Sequence, residues 1–287
     1  MADERVRTRV SGGSRTVGVI GWPVTHSLSP TIHNSAFIAM DMDWVYVPMP
    51  VAPGGLPAAL DGLRALGFAG ANVTMPHKTE AAELADVRSD DAARLEAANT
   101  IVVGPHGLAG HNTDAPGFDR FLRLDAGFDP EGRSALVFGA GGAARACALA
   151  LAAGGLARLE VALRDPGRAR GLERALGDRG TDVSIVSFEG AASTEVDLVI
   201  NATPLGGRGE ELPLPSLSPD VLVVDLLYRP RSTPMLDAAR AAGAGAFGGL
   251  GLLLHQAALS FELWTGMAPP LEVMSAAALS ELAETSA

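Results

Sequence analysis

With 287 residues, 47% of them apolar, the chain is long enough for two domains of ordinary size, each with its own core. A formal net charge of -11 excludes a general affinity for nucleic acid or an anionic membrane, so an anionic ligand requires a local cationic pocket. The single cysteine, Cys147, excludes an internal disulfide, and its place in the Ala-rich run Ala143 to Ala153 marks it as a small buried hydrophobe suited to a reducing, cytoplasmic compartment. The opening Met1 to Arg7 is charged, and the longest apolar run, Ala135 to Ala157, is broken by Arg145 and by glycines. Neither an export signal nor a membrane span is expected.

In chain order, the first strand is expected over Thr16 to Ile20, followed by a polar loop through His26, Ser27, Leu28, Ser29 and Pro30 into a helix. Ser29 before Pro30 reads as an N-cap with proline at the first helical position, and Ile32, Ala36 and Ala39 give helical spacing. Capping needs one hydroxyl, whereas Ser27 and Ser29 together suit a polyhydroxylated ligand. A strand over Trp44 to Val47, a helix over Leu56 to Leu66 and a strand over Ala69 to Val73 set up a βαβ rhythm. Such sheets are mostly parallel and bind ligands beyond the carboxyl ends of their strands. Thr74 and Lys78 fall there, with a turn at Met75-Pro76 and a helix from Lys78 through Leu84.

Lys78 is the only lysine among 22 cationic Lys and Arg positions. Arginine stays protonated, while a lysine ammonium can be tuned until it exchanges a proton, so Lys78 is a candidate acid/base. Five asparagines and a single glutamine, Gln256, lie at the ends of apolar segments, where a scaffold presents side chains to a ligand.

Leu95 to Val103 is expected as a strand, with a hairpin turn at Gly104-Pro105-His106-Gly107 and a return over Gly110 to Asp114. Asp114 is either the N-cap of a helix over Phe118 to Leu122 or the carboxylate partner of Lys78. After Gly132 the composition changes. A buried-type strand, Ser134 to Phe138, runs into Gly139-Ala140-Gly141-Gly142-Ala143-Ala144 and an Ala-rich helix, matching the dinucleotide fingerprint. There Gly139 makes the tight turn, Gly141 lets the backbone approach a pyrophosphate, and Ala144 lets helix and strand pack closely. A second strand over Leu159 to Leu163 ends at Arg164 and Asp165, with Arg168 and Arg170 beyond. The arginines favour the extra phosphate of NADP over NAD, while Asp165 before Pro166 is an N-cap candidate. Val196 to Ile200 leads to Asn201-Ala202-Thr203-Pro204, Val221 to Leu226 leads to Tyr228, and a helix follows over Pro234 to Ala242. Last comes a glycine hinge, Gly248 to Gly251, and a helix through Trp264 carrying Gln256; the final helices are expected to pack back on the first domain.

These motifs together resemble the shikimate dehydrogenases and their quinate-using relatives. The resemblance rests on His26 to Pro30 with His33-Asn34, Gly70 to Lys78, Ala98-Asn99-Thr100, Asn112-Thr113-Asp114, Gly139 to Ala144, Asn201 to Pro204, and Gly249-Leu250-Gly251 with Gln256. It implies an α/β chain with a discontinuous substrate domain, residues 1–115 and 249–287, around a Rossmann-type NADP domain, residues 116–248. It further implies reversible reduction of 3-dehydroshikimate to shikimate in aromatic amino-acid (chorismate) biosynthesis by a monomer or homodimer without a metal. By the same resemblance Lys78 and Asp114 are the catalytic pair, and Ser27, Ser29, Thr74, Asn99, Tyr228 and Gln256 line the substrate site. Gly139, Ala140, Gly141, Gly142, Ala143, Arg164, Arg168, Asn201, Ala202, Thr203, Leu226 and Gly249 then face the cofactor. Two departures stand out: Ala115 where the family usually has glycine, and Leu163-Arg164-Asp165 where it often has Asn-Arg-Thr or Asn-Arg-Ser. The second places a carboxylate in the phosphate pocket, so NADP is expected to lead NAD by a modest margin. Alternatives within the same fold are an NAD-preferring quinate/shikimate dehydrogenase or an aminoshikimate dehydrogenase; one of another class is a catalytically silent nicotinamide-binding regulator.

Overall fold

A computed structural model of the chain describes residues 10–177 and 179–284, so the charged opening Met1 to Arg7 lies outside the described residues. The chain divides into two compact units, one holding the segment up to Thr113 and that from Gln256 onward, the other Asp114–His255. Their boundaries fall two residues before and seven residues after the expected ones at 115 and 248. The later boundary lies inside a helix rather than at the glycines preceding it.

In the first unit the order is β1 (Arg15–Gly21), α1 (Ser29–Ala39), β2 (Trp44–Pro50), α2 (Leu56–Ala65), β3 (Gly70–Val73), α3 (Lys78–Leu84), β4 (Val87–Arg88), α4 (Asp90–Leu95), β5 (Thr100–Gly104) and β6 (Gly107–His111). The strands form one sheet in the order β2-β1-β3-β5-β6-β4. β1 pairs in parallel with β2 and β3, whereas β5 runs antiparallel to β3 and to β6, across the expected hairpin. Ile20, Leu60, Leu63, Val73, Ile101 and Leu108 form a core on the sheet. The segment expected as one strand from Leu95 is split: Leu95 ends α4, Glu96 adopts a left-handed conformation (φ 49°), and the strand starts only at Thr100. Ser89 caps α4 by accepting from Ala92 N, the local signal that competes with the apolar run.

The second unit contains α5 (Asp114–Leu124), β7 (Ser134–Phe138), α6 (Gly142–Ala153), β8 (Arg158–Leu163), α7 (Arg170–Leu176), β9 (Asp182–Ser187), β10 (Leu198–Asn201), β11 (Leu222–Asp225), α8 (Pro234–Ala241) and β12 (Gly245–Gly248). All six strands are parallel, in the order β12-β11-β10-β7-β8-β9, which is the doubly wound dinucleotide-binding topology with its switch point between β7 and β10. β9 and β12 complete the sheet at its two edges and are additions to the expected strands. The residues of β12 are all half-buried, which leaves no apolar alternation to detect. α5 begins at Asp114 itself, four residues before the expected start, with Pro116 in its first turn, where its missing N–H costs no helix bond.

Finally α9 (Leu250–Thr265) and α10 (Leu271–Glu284) close the chain, and α10 packs on α1 within the first unit, as expected. There the Trp264 indole N–H donates to Ile101 O at 3.0 Å. Around it His33 stacks on Tyr46 at 4.4 Å between ring centroids and also meets Trp264 and Phe261. Neither nitrogen of this fully buried ring has a hydrogen-bond partner, and burial lowers the His33 pKa to about 3. The unfolded chain takes up a proton near the ordinary value of 6.5 while the folded chain resists it. The contribution of His33 to stability is therefore full above that value and is lost as pH falls through it toward the folded pKa, at a slope of up to about 1.4 kcal/mol per pH unit. His33→Phe should flatten the fall in Tm between about pH 6 and pH 4; an unchanged slope would assign the acid sensitivity to carboxylates instead.

Candidate active site

In the first unit the loops after β1 and β3 leave neighbouring strand ends. Thr74 N donates to Ile20 O at 2.8 Å and Trp22 N to Met75 O at 3.0 Å, so the loop bearing Ser27 and Ser29 is tied to the turn bearing Thr74. Ser29 does not cap α1 as expected. Leu28 occupies the N-cap without a side-chain bond, Ser29 is the first helical residue, and the Ser27 hydroxyl accepts from Ser29 N at 3.2 Å. The proline at the helix start fixes the turn, and the Ser29 hydroxyl is released to bond the buried Tyr46 phenol, which burial pushes up in pKa against that bond. Tyr46 in turn donates to Asn72 Oδ1 at 2.8 Å.

Lys78 opens α3 as expected and is half-buried. Its carbonyl accepts from Ala98 N at 2.8 Å, and Asn99 O accepts from Val73 N at 2.8 Å, which sets Lys78 beside the Asn99 segment. The Asn99 amide is buried and directional. It accepts from Thr113 N at 2.8 Å, donates to Thr113 Oγ1 at 2.9 Å and reaches Gln256 Oε1 at 3.5 Å. Below it Ser260 accepts from Asn72 Nδ2 at 2.9 Å, shares a hydrogen bond with Thr100 Oγ1 at 2.8 Å and donates to Gln256 O at 3.0 Å. Tyr46, Asn72, Thr113 and Ser260 form a supporting layer; Asn72, expected with the other asparagines to face a ligand, is instead bonded within the protein, and Tyr46, Thr113 and Ser260 were left without a role by the sequence reading. Two other asparagines are structural: Asn34 pairs with both backbone groups of Tyr46, and Asn112 donates to Ala97 O.

In the second unit the fingerprint behaves as its spacing predicts. Gly139 turns at φ +105°, and a Cβ there would meet Thr203 and the Ala202 carbonyl, so glycine is required by both conformation and space. α6 starts at Gly142 with Gly141 at its N-cap and no side chain capping it, and the space in front of Gly141 and Gly142 is open. Uncapped first-turn amides facing open space fit a phosphate group. Ala144 is fully buried against the sheet.

Beside this turn lies a cleft of about 220 Å³ lined by Gly139, Ala140, Leu163, Arg164, Asp165, Arg168, Phe188 and Thr203, among others. Asp165 caps a short 3-10 turn, Pro166–Ala169, and accepts from Gly167 N at 2.9 Å, so the expected cap forms and directs a carboxylate oxygen to backbone.

Asn201, expected to touch the cofactor, is fully buried, and its amide is committed to the turn. It donates to Leu205 O and Asp225 Oδ1 and accepts from Thr203 N and Thr203 Oγ1. Its part is to shape the Ala202-Thr203 turn, while Thr203 lines the cleft. Burial pushes the Asp225 carboxyl above its usual range, against the bonds from Thr233, Leu227 and Asn201. Gly249 is not a hinge by left-handed conformation; a Cβ there would overlap the Leu226 carbonyl, which marks a close backbone crossing after β11. Tyr228 follows the same strand and is half-exposed. Among the described residues no cluster of His, Cys, Asp or Glu could hold a metal, and no helix is long and apolar enough to cross a membrane.

Comparison with known proteins agrees with this architecture. Residues 19–101 match the profile of the shikimate dehydrogenase substrate binding domain, and residues 249–279 that of the shikimate 5'-dehydrogenase C-terminal domain. A shikimate dehydrogenase (NADP(+)) of Rubrobacter xylanophilus is 47% identical over 95% of this chain and 98% of its own length. Shikimate 5-dehydrogenase from Thermus thermophilus, solved with NADP(H) and shikimate, superposes with a TM-score of 0.82 at 37% identity over 93% of this chain and 99% of that one. Quinate dehydrogenase from Corynebacterium glutamicum, solved with NAD, gives a TM-score of 0.86 at 34% identity over 93% and 99%. With nearly the whole chain aligned to such relatives, and both the polar cluster of the first unit and the glycine turn of the second in place, the chain belongs to the shikimate dehydrogenase family.

Proposed function

We propose that this protein catalyses the reversible NADP-dependent reduction of 3-dehydroshikimate to shikimate in aromatic amino-acid biosynthesis, as a cytoplasmic monomer or homodimer. What supports this above all is the Asn99 amide, which gathers Thr113, across the β5–β6 hairpin, and the distant Gln256 into one buried cluster next to the Lys78 segment. When bound, NADPH supplies the hydride. Lys78 donates the proton that turns the substrate carbonyl oxygen into a hydroxyl and takes it back in the reverse direction, and Asp114 orients the ammonium. Ser27, Ser29, Thr74, Asn99, Tyr228 and Gln256 hold the substrate's hydroxyls and carboxylate, orientation that contributes several kcal/mol to lowering the barrier. The amides of Gly141, Gly142 and Ala143 receive the pyrophosphate, with Ala140, Ala202, Leu226 and Gly249 shaping the backbone around the dinucleotide. Arg164 and Arg168 take the ribose phosphate.

The second reading, a quinate dehydrogenase preferring NAD, is favoured by one observation, the carboxylate of Asp165 in the cleft. Its hydrogen bond to Gly167 N turns it toward the helical turn and weakens that case.

Activity with shikimate and quinate, each with NADP+ and NAD+, separates the two: the specificity constant should be highest for shikimate with NADP+, and equal values for quinate would overturn the substrate assignment. Lys78→Arg keeps the charge but cannot cycle a proton, so turnover should fall by about 10²-fold or more with a smaller change in substrate binding; near-normal turnover would reduce Lys78 to a positional cation. Arg164→Ala should weaken NADP+ by about 1.5 to 3 kcal/mol relative to NAD+ while Asp165→Ser should sharpen the preference, and an unchanged ratio of specificity constants would move phosphate recognition to Arg168.

A further inference from the structure

The preference for NADP invoked above depends on how Arg164 is held, since an exposed arginine has many rotamers and loses entropy when it binds a phosphate. The pairing of β8 with β9 settles this. Leu163 lies opposite Ser187, so the residues that follow, Arg164 and Phe188, leave the sheet edge side by side. Ser187 Oγ accepts from Gly190 N at 3.0 Å, which turns the chain sharply after β9 and fixes Phe188 at the start of a short 3-10 turn. The ring is anchored edge-on against Phe138 at 5.5 Å, at the end of the central strand β7. Over the ring lies the Arg164 guanidinium, 4.9 Å from the ring centroid, in the geometry of a cation–π pair.

The geometry points to Phe188 as a specificity-determining residue: an aromatic platform that pre-orients Arg164 so that its N–H groups face a phosphate on the 2' position of a bound adenosine. A guanidinium stacked by its face keeps its donor edge free, and that edge is the part that pairs with phosphate oxygens. Phe188, Arg164 and Arg168 all line the same cleft. Phe188 acts through Arg164 and leaves a nucleotide that lacks the 2'-phosphate unaffected.

The test, which rests on the NADP assignment, is calorimetric titration of the full-length protein with 2',5'-ADP and with 5'-ADP. The unaltered protein should bind 2',5'-ADP more tightly; equal affinities would overturn the NADP assignment itself. Phe188→Leu should weaken 2',5'-ADP by about three- to fivefold and leave 5'-ADP unchanged, the size expected for a partly exposed cation–π contact. Phe188→Tyr should restore the unaltered ratio. In the background of Arg164→Ala, Phe188→Leu should cause no further selective loss. If Phe188→Leu keeps the ratio, or lowers both affinities together, Phe188 is only a wall of the adenosine pocket and the platform role is overturned.

Discussion

Parallel pairing is the constraint on which the rest of this structure depends. Strands that run side by side in one direction must be joined by crossovers, so all their carboxyl ends emerge along a single edge of the sheet. In the second unit that edge collects Gly139 to Ala143 after β7, Arg164 after β8, Ala202 and Thr203 after β10, Leu226 after β11 and Gly249 after β12. In the first unit the parallel pair β1 and β3 does the same for Ser27, Ser29, Thr74 and Lys78. Residues scattered over the sequence become neighbours because pairing leaves them no other place.

Polar side chains buried behind such an edge must be satisfied, and that requirement gives each unit its rigidity. In the first unit Tyr46, Asn72, Asn99, Thr100, Thr113 and Ser260 bond one another. Losing one member would strand a buried partner at a cost of about 1 to 3 kcal/mol. In the second unit Asn201 and Asp225 clamp the ends of β10 and β11 through Thr203, Leu205, Leu227 and Thr233. The second network leaves the first-turn amides of α6 uncapped and facing open space. The scarce amides of Asn34, Asn72, Asn112 and Asn201 thus hold the scaffold.

Charge is handled locally. The chain is acidic overall, yet the cleft beside the glycine turn carries Arg164 and Arg168, and Asp165 in their midst is tied to a backbone amide. A hydrogen bond of that kind directs a carboxylate oxygen to backbone without removing its charge.

Patterns that depend on a few adjacent residues were legible in the sequence: the βαβ rhythm, the Gly139 to Ala144 turn with its helix, the hairpin at Pro105-His106, the helix opening at Lys78 and the cap at Asp165. Each is governed by local sterics or by a side chain bonding its own neighbours. β9, β12 and the short α4 were not legible, because edge strands and one-turn helices have too few buried positions to leave a period. Nor was it legible which of two plausible roles a polar residue fills. The Ser29 hydroxyl bonds the Tyr46 phenol instead of capping α1, the Asn201 amide is committed to Asp225, and Phe188 lies under Arg164. Those outcomes rest on strand register and on contacts between residues up to 188 positions apart, as between Asn72 and Ser260, which only the tertiary fold brings together.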